Sequence, residues 1–149
     1  WKRNHPMGQD HVRGAFKAYS KECFSAIGGL LPAMGWDTTD ELLARFFGFE
    51  TQTLGKLEVK HLRPLGAGYS VQTAQLQGAA FYSMRYGFLL SVLASLKNAL
   101  IKKNTNAFFG LLKGYQKAKQ LQDPFLVTVE QGIFIRNYRW SKIWGKNFR

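Results

Sequence analysis

Apolar and polar residues keep two different rhythms along this chain. Val12-Arg-Gly-Ala-Phe-Lys-Ala-Tyr19 alternates with period two, the rhythm of a short strand, and Gly14 inside it would let another backbone approach closely. Ser20 follows as an N-cap, so the pattern predicts a short helix over Lys21 to Ile27, stopped at Gly28-Gly29. Pro32 and Gly35 fall in a loop. Thr38 or Thr39 can cap a second helix from Asp40 to Phe47, with acidic residues in its first turn and Gly48 at its end. Leu57-Glu-Val-Lys-His61 reads as a second strand, ended by Arg63-Pro64 because proline cannot donate to a ladder.

From about Thr73 the rhythm becomes helical. Phe81, Met84, Phe88, Val92, Leu96 and Leu100 recur at steps of three and four, one face of a long helix with a candidate break at Gly87. Phe108, Leu111, Leu112, Tyr115 and Ala118 repeat the pattern, with Lys113 and Lys117 off that face. Pro124 would open a further helix whose apolar side is Phe125, Val129, Ile133 and Ile135. The expected organisation is a mixed α/β part over residues 1–72 and an all-helical extension over residues 73–149.

Charge sharpens that division. Up to residue 75 there are nine Lys/Arg against seven Asp/Glu; from residue 76 on there are twelve against two, Asp123 and Glu130. Nearly all of the formal net charge of +12 therefore belongs to the second half, a surface suited to nucleic acid, anionic lipid or an acidic partner. The longest strongly apolar uncharged stretch, Tyr86 to Leu96, has 11 residues, whereas a spanning helix needs about 20. Aromatics at 15% of the residues imply a real buried core, and the single Cys23 has no partner for an internal disulfide. With one cysteine in an apolar helical stretch and no signal-peptide pattern, a reducing, cytoplasmic setting is expected, and the start at Trp1 is read as that of a piece of a longer chain.

The chain has no Gly-x-Ser-x-Gly, no phosphate-binding Gly-x-x-x-x-Gly-Lys-Ser/Thr, no paired-cysteine zinc motif and no His-Glu-x-x-His. What remains is a small set of acids and one histidine at element ends. Asp37 and Asp40 flank Thr38-Thr39 at the mouth of the second helix, just after Trp36. A carboxylate there is either a helix cap or a general base within reach of a reacting hydroxyl, and the sequence leaves both open. His61 ends the second strand, where an imidazole either packs or completes a divalent-metal site with carboxylates from elsewhere.

The order of these pieces resembles the family 2 glycosyltransferases of bacteria. Val12 to Leu30 is similar to the family segment in which a glycine-bearing strand leads to a short helix ending in Ile-Gly-Gly-Phe/Leu. Gly35-Trp-Asp-Thr-Thr-Asp-Glu-Leu-Leu-Ala-Arg-Phe-Phe-Gly48 resembles the segment written Glu-Asp, then a helix carrying Leu and Arg, then Gly-aromatic. Counting eleven residues back from Gly48 puts Asp37 on the family's catalytic base, with Asp40 as competitor; Trp36 stands where the family has Glu, and Arg45 fits its arginine approximately. Val59-Lys-His61 is similar to the strand whose histidine helps hold a metal. The resemblance covers about residues 12–64, and the helical extension looks like that of a bacterial subgroup, with Tyr86-Gly87, Gly114-Tyr115 and Glu130-Gln131.

The resemblance implies the acceptor-side half of an inverting enzyme with the GT-A nucleotide-sugar fold, working in surface polysaccharide synthesis. Asp37 or Asp40 would be the base, Gly14, Trp36 and Arg45 would face the acceptor, and His61 would help bind Mn²⁺ or Mg²⁺. The family's Asp-x-Asp and its nucleotide-binding βαβ half are absent, so the nucleotide-sugar donor would be held by residues outside these 149, and the chain alone would be inactive. The acceptor would be a glycan or a lipid-linked sugar, reached from the inner face of an anionic membrane by the basic extension, with Trp140, Trp144 and Phe148 at headgroup depth. The rival is a basic helical nucleic-acid-binding domain, with Tyr115, Tyr138, Trp140 and Trp144 set among Lys and Arg. Its cations are spread over several helices with no recognisable reading helix, so a specific nucleic-acid partner is not expected.

Overall fold

The computed structural model describes residues 16–54, 71–102 and 104–145 of the chain. They form six helices: α1 (Lys21–Ala26), α2 (Trp36–Phe46), α3 (Val71–Ser83), α4 (Phe88–Lys102), α5 (Thr105–Gln120) and α6 (Val129–Ile143). The chain divides into two compact units, Trp1–Pro32 with Trp36–Leu65, and Ala33–Gly35 with Gly66–Arg149.

The α/β expectation is corrected here, because there is no strand among the described residues. Residues 17–20 carry no regular structure, and the described end of the first expected strand has no ladder partner. Period-two alternation reports an extended backbone; a strand also needs a neighbour to pair with. Here the alternation sends Lys17 and Tyr19 to one side, and both side chains end on Asp40. The second expected strand, Leu57 to His61, and Gly14 lie outside the described residues.

In the first unit, Ser20 caps α1 as the sequence predicts, its hydroxyl accepting from the Cys23 amide at 3.1 Å. Cys23 and Ile27 are buried, and α1 ends at Gly28 and Gly29, both in the left-handed region. The second helix starts at Trp36, earlier than the expected Asp40. Gly35, with φ +83°, turns the chain straight into the helix, and Thr39 is buried within it instead of capping it. Leu42, Leu43 and Ala44 supply its apolar face.

The second unit rests on α3 and α5. Gly78 lies so close to α5 that an added Cβ would stand 1.9 Å from the Leu111 carbonyl oxygen, and one on Gly114 would stand 1.9 Å from that of Gln75. Ala74 and Gly78 on α3, and Gly110 and Gly114 on α5, are each four residues apart and form the facing small-residue stripes that permit this approach. The break expected at Gly87 is present, with Arg85 at φ +53° and Gly87 at φ +79° turning α3 into α4. Asn104 caps α5 by accepting from the Asn106 and Ala107 amides.

Pro124 does not open the last helix. Thr128 does, in a reciprocal box with Gln131 that satisfies two backbone donors. Arg85 ties this helix entry to the α3 end: its Nε donates to the Val127 carbonyl at 2.9 Å, and its guanidinium lies 3.5 Å from the Phe125 ring centre. Arg136 returns a bond to the Arg85 carbonyl at 2.7 Å. Met84, Leu111 and Ile135 are almost wholly buried and form the centre of this unit's core.

Candidate functional site

A dense polar cluster lies in the first unit, around the first turn of α2. Lys17 reaches it from the extended segment before α1, and its side chain is 5% exposed, as is that of Asp40. Its ammonium donates to Asp40 Oδ1 at 2.8 Å and Oδ2 at 3.1 Å, and also to the backbone carbonyl of Asp37. Glu41 Oε1 is 3.4 Å away. The Tyr19 hydroxyl donates to Asp40 Oδ2, and the Glu41 amide donates to Asp40 Oδ1 at 2.6 Å. Both Asp40 oxygens are therefore engaged, each accepting from two donors.

Electrostatics follow from this crowding. Burial, then the hydrogen bond to the Asp40 carboxylate and its charge, push the Tyr19 phenol far above its usual range, so it remains a donor in neutral solution. The Cys23 thiol is also raised, by burial first and the Asp40 charge second, so a reactive thiolate is disfavoured, as a core cysteine would be.

Asp37 and Asp40 fare differently although only three residues separate them. Asp37 is in the first turn of α2 and half-buried, and its backbone carbonyl is anchored by Lys17. Among the described residues, no donor is paired with its carboxylate. Trp36, also half-buried, has its ring 5.9 Å from the Lys17 ammonium. Gly29, Leu31, Trp36, Thr39, Asp40 and Leu43 line a small recess beside this turn.

Arg45 is not brought to this place. It lies in the last turn of α2, eight residues beyond Asp37, about 12 Å along a helix rising 1.5 Å per residue, where its guanidinium bonds the Thr51 hydroxyl. Gly14 and His61 lie outside the described residues. Among the described residues no three His, Cys, Asp or Glu side chains come together, so no described cluster fits a divalent metal. Lys17, Tyr19 and Glu41 were the participants that sequence reasoning missed. Their only advance signal is the two-residue spacing of Lys17 and Tyr19, which also reads as a strand.

No helix among the described residues is long and apolar enough to cross a membrane. Compared with protein-family models, with curated proteins and with solved structures, the chain matches none.

Proposed function

We propose that residues 16–54 belong to the acceptor side of an inverting sugar transferase, with Asp37 as its base and Asp40 as a positioning residue. The observation that carries this reading is the contrast between the two carboxylates. Asp40 is buried and held by Lys17 and Tyr19, whereas Asp37 is a half-buried residue whose carboxylate has no described donor. A base has to be able to accept a proton, and an oxygen already accepting two strong hydrogen bonds is poorly placed to do so. The local order also supports the resemblance: α1 stops at Gly28-Gly29, and α2 carries Asp37 at its start and Arg45 in its last turn before Gly48-Phe49.

In the proposed step the acceptor hydroxyl attacks the anomeric carbon, the bond to the nucleoside diphosphate breaks, and Asp37 takes the hydroxyl proton. Lys17 acts through the backbone, holding the first turn of α2 in place. The reading places the donor in a nucleotide-binding half outside these 149 residues, with the acceptor a glycan or lipid-linked sugar. Mn²⁺ or Mg²⁺ would offset the diphosphate charge, with His61 as one ligand and the carboxylates in the donor-binding half. The basic second half would keep the protein at the inner face of an anionic membrane.

The test uses the longer chain that this reading requires. Asp37→Asn should lower turnover by about 10²- to 10⁴-fold with donor binding retained. Asp40→Asn should act mainly by lowering stability. A larger pure turnover loss for Asp40→Asn moves the base there. A natural reading frame with no nucleotide-binding half before Trp1 removes the transferase reading altogether.

A further inference from the structure

Helix α4 is built inside out. Its buried side consists of Leu90, Ser91, Ser95 and Ala99, and the two serines send their hydroxyls back to the Gly87 and Ser91 carbonyls at 2.8 and 2.6 Å. Its solvent side carries Leu89, Leu93, Leu96 and Leu100, which are 61, 36, 46 and 69% exposed. At 100° per residue these four leucines fall within an arc of about 60°, opposite the serines. An ordinary surface helix does the reverse, burying leucine and exposing polar groups. Small residues inside and leucine outside is how helices pack when their outer surface meets lipid.

We infer that the outer face of α4 inserts into an anionic phospholipid surface, lying in the plane of the interface. The inference deepens the peripheral placement proposed above and is independent of sugar transfer. Length settles the mode: α4 has 15 residues, about 22 Å of helix, against roughly 30 Å of hydrocarbon core. Charge selects the occupant. Exposed Lys97 borders the leucine stripe, Lys113, Lys117 and Lys119 are exposed on α5, and Asp123 and Glu130 are the second half's only acids. A second copy docked on this face would bring like charges together, whereas anionic headgroups would neutralise them. Trp144, exposed beside Lys142, has the amphipathic ring of an interfacial anchor.

The test is flotation of the whole chain with vesicles of phosphatidylglycerol and phosphatidylcholine, against phosphatidylcholine alone. The wild type should float with the anionic vesicles and keep part of its binding at high salt, because apolar insertion is not screened. Replacing Leu89, Leu93, Leu96 and Leu100 by Gln should weaken binding by about tenfold or more at unchanged helix content. If that variant floats like the wild type, the α4 proposal fails while the peripheral reading stands; if the wild type does not float, both fail. A wild-type dimer in lipid-free solution that the variant abolishes, with flotation unchanged, would make this face a homodimer contact and also overturns the proposal. Should the fourfold variant not fold, Leu96→Cys carrying an environment-sensitive fluorophore decides. Its emission should shift to the blue on anionic vesicles, and an unshifted emission overturns the insertion; buried Cys23 stays unlabelled.

Discussion

Lys17 is the residue on which the first unit's polar cluster depends. Its ammonium stands between two carboxylates at 5% side-chain exposure, and a buried charge without its partner is costly. Lys17→Met should therefore destabilise the first unit by about 3–5 kcal/mol, because the buried Asp40 carboxylate loses its ammonium partner. Lys17→Met combined with Asp40→Leu should recover much of that loss, since an apolar pair avoids the desolvation cost. Urea unfolding of the three proteins measures this, and a loss under about 1 kcal/mol for the single variant would show that water reaches the pair. None of the pairing was legible in the sequence. Asp40 was visible as a candidate because of its place near a helix start, but a partner more than twenty residues away is fixed by tertiary packing, which spacing does not encode.

At the scale of elements the sequence was more informative about where helices lie than about which way they face. The three- and four-residue steps placed α3, α4 and α5 and the break at Gly87. Yet the single stripe from Phe81 to Leu100 changes meaning at that break: Phe81 and Met84 are buried, while Phe88, Leu96 and Leu100 are exposed. Periodicity shows that a helix is amphipathic, and says nothing of what its apolar side meets. The first strand reading gave way over its described residues, 16–19, for a related reason, because alternation reports an extended backbone and cannot show whether that backbone is paired. The glycines of α3 and α5 were equally silent. Their role is now testable: Gly114→Ala should cost about 3 kcal/mol or more, because the new methyl meets a backbone carbonyl that cannot move without its helix. Gly110→Ala should cost less, since its nearest obstacle is the Ala74 methyl at 2.9 Å. Thermal melts of the two variants compare them, and equal losses would mean that the helices separate freely.

For the whole molecule, charge and composition identified a basic helical second half, while the first half's α/β assignment gave way to helices α1 and α2. The candidate site was legible in part: Asp37, Asp40 and Trp36 share one helical turn, whereas Arg45 stands at the helix's other end. Helix α3 packs chiefly on α5, and α4 leans on α5 while barely touching α3. The α3–α5 pair is fixed by backbone approach at Gly78 and Gly114, so it does not rely on α4 for its closure. Opening events in this unit should then be hierarchical. In water without lipid, the amide protons of α4 should exchange with deuterium at least about tenfold faster than those in the middle of α3 and α5. Uniform exchange across the three would indicate a single cooperative block. A hierarchy would mean that α4 can loosen and settle again as a separate unit, while the tightly packed pair keeps its register throughout.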